Sequence, residues 1–563
     1  MSASRRSTSW LHWAPVLLLS ALALAEVPGG GQAPFAVDQT GNALRARLSK
    51  SPIEVFAAPA LAPRELGRFF ARREYAPAWT ERGRVRLAAW QLLGCLRRAG
   101  QEGLEPRDYH LAAIAAGLAR EAESSHKVAS APSPVELELA LSDAFLAYAS
   151  DLAWGRVDPR AIGEAWGIDA EDLDPAALLE QALGGRGVSA SFCSLVPEHG
   201  DYEELRQALV SYRALEGRGG WPLLPPEFRA APGEKTEKIA LLRARLRASG
   251  DLGEKAASNE DFYDDALAAA VRGFERRHGL PPDGKVGKET LAALNVPVEE
   301  RISQLRVNLE RRRWLKHDLG PRYVLVNIAA FELLFVEDGE VVLRSRVVVG
   351  DREHHTPRLD SVIEQVELNP AWEVPPKIAA EELLPAIRRD PEYLAREGIR
   401  VLEGWGPGAK EIDPATIDWP DVDPDHLRFR FRQEPGPLNP LGRIKLIFPN
   451  PFALYLHDTP APGLFKRSVR ALSHGCIRVE ATAPLAHRLL LEDPSWSDEK
   501  IERAIADDRE RVVALQRPLP LHIVYWTVWA NSKKLIQFRR DVYHRDETVL
   551  QALTKPRHHT EQP

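Results

Sequence analysis

The hydrophobic pattern of this chain changes period once, near residue 320, and that change sets the class of fold. Before it, apolar residues recur at helical spacing: Leu141, Phe145, Ala149 and Leu152; Ile239, Leu242 and Leu246; Leu267, Val271 and Phe274; then Val298, Ile302, Leu305 and Leu309. Each set lies on one face of a 3.6-residue helix. After it, 323–328, 331–336 and 341–349 read as strands, the last two joined around Asp338-Gly339, a strong hairpin signal. Segments 444–448, 453–457 and 521–527 continue as strands, with one helix near 484–491. The expected fold is multidomain α+β: a helical N-terminal scaffold (26–234), a three-helix module (235–297), a linker helix (298–319), a β-rich C-terminal domain (320–545) and a flexible tail (546–563).

A length of 563 residues fits three or four domains, and 44% hydrophobic residues suffice for ordinary cores. A net charge of −6 supplies no basic face for nucleic acid. Residues 1–25 combine Arg5 and Arg6, an apolar stretch and small residues at Ala23 and Ala25, the pattern of a secretory signal cleaved near Ala25. No later apolar run suits a membrane span, so the expectation is export to the periplasm with no transmembrane anchor in the mature chain. Three cysteines, Cys95, Cys193 and Cys476, leave at least one thiol unpaired. Either Cys95 and Cys193 are bridged or buried while Cys476 does chemistry, or all three are inert.

Glycines and prolines in 217–226 mark a domain boundary. Tyr75, Trp79, Tyr109 and Trp154 are read as core of the helical region rather than as a carbohydrate platform. The arginines Arg311, Arg312 and Arg313 close the linker helix, where cations suit its dipole. A polar, Pro-rich, partly helical stretch, about 376–438, reads as an insertion of the kind that caps an active site.

In the three-helix module, Phe274, Gly279-Leu280, Asp283-Gly284, Val286-Gly287, Thr290 and Leu294 form a pattern that resembles the peptidoglycan-binding module found beside cell-wall enzymes. In 452–457 a strand period of two sends Phe452, Leu454 and Leu456 to one face and Ala453, Tyr455 and His457 to the other. Nineteen positions after His457 stands Cys476, in Ser473-His474-Gly475-Cys476-Ile477-Arg478. A thiol, an imidazole to take its proton and nearby backbone N–H groups are the requirements of nucleophilic catalysis.

That signature resembles the L,D-transpeptidases of the YkuD family, and in particular its large periplasmic YcbB-like branch. The resemblance extends through Asn369-Pro370-Ala371-Trp372-Glu373-Val374-Pro375, Glu434-Pro435-Gly436-Pro437, Leu441-Gly442-Arg443, Pro449-Asn450 and His457-Asp458-Thr459-Pro460. It implies that Cys476 is the nucleophile and His457 its proton acceptor. It also implies that the Gly475 and Cys476 N–H groups hold an oxyanion, with Ser473 and His474 shaping the loop. Arg478 either holds a substrate carboxylate or braces the loop; Tyr455 shapes the substrate wall or contributes to the oxyanion site; Trp372 and Asn369 fall on the substrate side. The implied reaction joins peptidoglycan stem peptides through a cysteine thioester, releasing D-alanine and forming 3→3 cross-links. It needs no cofactor or metal, and other cell-wall synthesis proteins are conceivable partners. Carbapenems are the implied inhibitors.

Three rivals stand beside this reading. Zinc hydrolysis through Cys476, His474 and His457 lacks HExxH or paired-cysteine spacing. An L,D-carboxypeptidase would use the same acyl-enzyme with water as acceptor. A non-catalytic wall-binding scaffold would rest on 235–294 alone. The remaining histidines, His354-His355 included, have no supporting spacing and are read as surface or loop residues.

Overall fold

A computed structural model describes residues 39–81, 84–123, 132–163, 172–197, 200–253, 259–404 and 408–555; the expected signal segment lies outside them. The N-terminal region is helical, as its spacing predicts. Helix α1 (Pro134–Trp154) is its axis, started by a capping box in which Ser133 and Glu136 satisfy each other's backbone N–H groups. Leu141, Phe145, Ala149 and Leu152 are buried along it. Trp79 and Tyr109 are fully buried, and Tyr75 and Trp154 pack against the same core. Cys95 is buried, Cys193 exposed, and both are free thiols. Helix α2 (Tyr202–Glu216) ends the region.

The next unit is three helices, α3 (Lys238–Ala248), α4 (Asp265–Arg277) and α5 (Lys288–Leu294), closed around Leu242, Leu246, Leu267, Val271, Phe274 and Leu294. Helix α6 (Val298–Arg313) then departs from the expected linker. Its apolar stripe packs with Leu205 and Leu209 of α2 and with Val528 and Phe538 from the C-terminal region. Its opposite face is buried too: Arg312 pairs with Asp201, Arg311 with Asp546, and Arg313 with Glu310. Arg311 and Arg312 are thus ion-paired struts to other parts of the chain, while Arg313 pairs within α6. Asp546 opens a further helix, α9 (Asp546–Thr554), which buries Val549 and Leu553. The expected flexible tail is therefore docked through residue 554, because Val549 and Leu553 fall on one helical face.

The main sheet of the β-rich domain has nine strands among the described residues: β1 (Arg322–Asn327), β2 (Glu332–Glu337), β3 (Glu340–Gly350), β4 (Leu359–Leu368), β5 (Ile444–Ile447), β6 (Leu456–His457), β7 (Ala471–Ser473), β8 (Ile477–Val479) and β9 (Arg511–Val524). They run in the order β7-β3-β8-β6-β5-β4-β9-β1-β2. Strand β3 pairs with β2 over Glu340–Arg346 and with β8 at Val347 and Val348, so the sheet closes on itself. Its interior holds Val326, Phe335, Val366, Leu446, Leu456, Ile477 and Leu521. Helices α7 (Thr482–Leu490) and α8 (Asp498–Ala506) add Leu485, Leu489 and Ile501 to that core.

The insertion is more than partly helical. It contains a four-stranded antiparallel sheet in the order 410–412, 399–403, 429–433, 372–373. Helical turns over 376–397 bury Leu383, Leu384, Ile387 and Leu394 against Val401 and Phe431 of that sheet, so the cap has its own core. The strands escape sequence reading because they are only two to five residues long, too short for a period to register. No helix of the described residues is long and apolar enough to cross a membrane.

Candidate active site

Strand β6 is only two residues long, but it sits between β5 and β8 and so receives a fixed register from both sides. Lys445 of β5 lies opposite His457, and β8 runs parallel with Leu456 beside Ile477 and His457 beside Arg478. Leu456 and Ile477 are fully buried in the core, so His457 and Arg478 project from the other face. One residue back, the Ile477 N–H donates to the Tyr455 carbonyl (3.0 Å), which brings Cys476 beside Tyr455 on that same face. A strand separation near 4.8 Å and a rise of two residues place the Cα atoms of Cys476 and His457 about 8 Å apart. The Cys476 Sγ itself lies 3.8 Å from the Ala453 carbonyl, and no hydrogen bond joins it to His457 among the described residues. The expected alternation fails only upstream: Ala453 has φ 51° and Phe452 is exposed. Asn450 Oδ1 accepts the N–H groups of Phe452 and Leu454, bending the chain out of the extended form.

His457 is 4% exposed. Its Nδ1–H donates to the Asp458 carbonyl at 2.6 Å, which leaves Nε2 with the lone pair. Burial, reinforced by the nearby Arg478 charge, pushes its pKa down to about 4. Burial pushes the Cys476 thiol up, opposed by the Tyr455 backbone N–H, Lys445 and Arg478. At rest, thiol and imidazole are therefore both neutral. This fixes a pH dependence. The imidazole keeps its lone pair down to about pH 4, whereas an ordinary histidine would be half protonated near pH 6.5. Acylation of Cys476, followed by mass spectrometry from pH 4 to 8 at constant folded fraction, is expected to hold its rate through pH 6 and lose it only toward pH 4. An inflection near 6.5 would contradict this assignment.

The loop before Cys476 is held from within and from below. Ser473 Oγ donates to the Cys476 carbonyl (2.6 Å) and accepts the Gly475 N–H (3.3 Å). Thr356 Oγ1 donates to the Gly475 carbonyl (2.6 Å) and accepts the Gly350 N–H (2.8 Å). Gly475 adopts φ 115°, a conformation that side-chain-bearing residues avoid. A Cβ on Gly350 would lie 1.9 Å from the His354 carbonyl and 3.1 Å from the Gly475 Cα. These two glycines let the strand end and the loop before Cys476 touch. The expectation of two oxyanion donors is halved: the Gly475 N–H is committed to Ser473, while the Cys476 N–H has no partner among the described residues.

Residues 321–495 match the family model of the L,D-transpeptidase catalytic domain, YkuD. This chain carries a YkuD L,D-transpeptidase domain. Residues 235–294 match a "Putative peptidoglycan binding domain", and 64–209 match a Scaffold domain. A curated Haemophilus influenzae protein described as "Putative L,D-transpeptidase" is 34% identical over 252 residues, 45% of this chain and 50% of that protein. The chain thus spans about half the length of that relative. Among solved structures, the L,D-transpeptidase (residues 123–326) of Xylanimonas cellulosilytica is 16% identical, covering 54% of this chain and 98% of that one, with TM-score 0.17. The L,D-transpeptidase (Yku) of Stackebrandtia nassauensis is 14% identical, covering 54% and 96%, with TM-score 0.19. Overlap that loose adds nothing to the assignment, which rests on the matched sequence.

Within the YkuD domain the other expected site residues divide. Tyr455 is half-buried, with Lys445 Nζ 4.2 Å from its ring centre. Arg478 is half-buried, and its Nε has no hydrogen-bond partner. His474 is bonded to Glu382 of the cap rather than turned to the thiol, and its ring lies 4.8 Å from that of His354. Asn369 is not a substrate contact. It is fully buried, with φ 49°, and its Nδ2 donates to the carbonyls of Ala504 and Arg509. Trp372 packs against the core of the cap and pairs with Gln433 at its base. Thr356, Gly350 and Tyr543, whose hydroxyl donates to the Gly350 carbonyl, escaped sequence analysis. Thr356 meets Gly475 across 119 positions and Tyr543 across 187, so no local spacing signals them. His354, read as a loop residue, is a loop residue that touches the site.

Proposed function

We propose that this chain is a peptidoglycan L,D-transpeptidase that forms 3→3 cross-links through a Cys476 thioester. The observation that supports it most is the shared face of Cys476, Tyr455, His457 and Arg478, with the His457 tautomer set by the Asp458 carbonyl. His457 Nε2 takes the thiol proton as Sγ attacks the carbonyl of the third stem residue. The Cys476 N–H is the donor positioned for the developing oxyanion. Collapse breaks the peptide bond; His457 returns the proton to the leaving nitrogen, D-alanine departs, and a thioester remains. The amine of a second stem then attacks, His457 takes its proton, and the thiol is regenerated. The thioester conserves the energy of the broken bond, so no nucleotide is consumed. Arg478, half-buried with an unused Nε–H, suits a stem carboxylate. The cap, tied to the nucleophile loop through Glu382 and His474, suits a cover that keeps water from the thioester.

The same reading includes export by the N-terminal segment, action in the periplasm, and acylation of Cys476 by carbapenems, whose strained lactam carbonyl replaces the peptide. The experiment is intact-mass spectrometry of folded, reduced protein with a disaccharide-tetrapeptide, followed by product masses. A cross-linked dimer lighter by one D-alanine than two substrates is the expected product. Tripeptide alone would make water the acceptor and the protein a carboxypeptidase. Neither adduct nor product would leave the wall-binding scaffold.

A further inference from the structure

The three-helix module meets the catalytic domain along the turn at 278–281. Gly279 has φ 69°, and a Cβ there would lie 2.6 Å from Arg539 Cδ, so the glycine makes room for that arginine. Arg539 Nη1 donates to the Arg277 carbonyl (3.0 Å), and Arg540 pairs with Glu289 of α5 (3.2 Å). Between the two domains lies a cavity of about 430 Å³, large enough for a few residues of peptide or a sugar.

Its charge is one-sided. Six cations line it, Arg346, Lys466, Arg467, Arg470, Arg539 and Arg540, against one carboxylate, Glu289. Arg346 is neutralised by Glu480 and Arg540 by Glu289. Arg470 donates to the carbonyls of Val347, Arg467 and Phe331, and Arg539 to those of Arg277 and Phe538. Neither forms an ion pair with a described carboxylate. Burial lowers both, with Arg346 adding to it at Arg470 and Arg470 adding to it at Arg539, which is pushed down to about 10; the Glu332 charge opposes the shift at both and Glu480 at Arg470. Lys466 and Arg467 stand exposed at the rim. Partly desolvated cations held by carbonyls, with carboxylates near but none in direct contact, gain from a bound anion. A second cavity of about 580 Å³ shares Val469, Arg540 and Val542 with the first but ends at Asp351 and Glu353. Those acids confine an anion to the first.

We propose that this interdomain cleft is a second peptidoglycan-binding site, taking the free carboxylates of a stem peptide separate from the one at Cys476. Module and catalytic domain then grip the wall jointly, one wall of the cleft coming from each. The inference rests on peptidoglycan being the substrate. Guanidinium forks suit carboxylate and phosphate alike; carboxylate is favoured because the peptidoglycan-binding module itself forms one wall.

The test is calorimetric binding of a disaccharide-tripeptide, which lacks a terminal D-alanine, to the full chain. The expected result is binding that weakens with salt and falls at least tenfold in Lys466→Glu/Arg467→Glu, two exposed positions whose exchange leaves the core intact. Occupation of the Cys476 face alone would be insensitive to that exchange and would overturn the proposal. Equal affinity for the ligand with its carboxylates amidated would overturn it too, as would tighter binding of inorganic pyrophosphate. Acylation of the wild type by the disaccharide-tetrapeptide is measured separately. Charge-dependent binding without acylation keeps the cleft and removes the transpeptidase reading; acylation with charge-independent binding removes the cleft alone.

Discussion

Cys476→Ala is expected to take up no acyl group from a disaccharide-tetrapeptide or a carbapenem under conditions where the wild type is fully converted. No other thiol substitutes: Cys95 is buried beside Ser189 and Cys193 lies on the helical region. His457→Gln retains a side chain of similar reach but cannot accept a proton. Its acylation rate is expected to fall by about 10²–10⁴, the usual contribution of a positioned general base, and to rise with pH as free thiolate forms. Burial keeps the thiol protonated at neutral pH, so the loss should be greatest there. Single-turnover mass spectrometry measures both variants. An adduct on Cys476→Ala, or a His457→Gln rate within threefold of wild type, would sink the assignment of roles.

The second large effect concerns stability. Arg313 is 2% exposed and Glu310 is fully buried. Arg313 donates to Glu310 (2.7 Å), to the Tyr202 hydroxyl (3.1 Å) and to the Glu102 carbonyl, while Glu310 also accepts the Val157 N–H (2.7 Å). Arg313→Ala would leave a carboxylate buried and unpaired, which typically costs about 3–5 kcal/mol. Replacing both members by methionine should cost less than Arg313→Ala alone, because no charge is stranded. Urea unfolding followed by fluorescence and circular dichroism measures the order. The expected outcome is an early loss of the contact between the scaffold and the rest of the chain. An unchanged first midpoint in Arg313→Ala would show that the pair carries no load.

These two predictions differ in how far they are legible along the chain. Cys476 and His457 stand in a short block, and alternation over 454–457 is a property of neighbouring residues. That they share a sheet face depends on the parallel pairing of β6 with β8, which a motif announces and only the sheet enforces. The buried arginines show the opposite case. At a helix end they fit a dipole argument equally well, and their partners lie 111 positions away at Asp201 and 235 away at Asp546. The cap was visible as an interruption, but its four short strands were not. The tail looked featureless until Val549 and Leu553 found the face of a docked helix.

What the sequence by itself determined is whatever depends on period and local spacing: helices before residue 320, strands after it, the three-helix module, and the nucleophile block. Those signals survive because side-chain direction follows residue count within a single element. What the tertiary structure alone decided is where each polar group spends its hydrogen bonds. Ser473 consumes the Gly475 N–H, Glu382 takes His474, Asn369 turns inward, and Arg470 and Arg539 face an interdomain cleft bonded to carbonyls rather than carboxylates. A buried donor must pair with whatever the fold brings within about 3 Å. That neighbour is set by the packing of elements far apart in the chain.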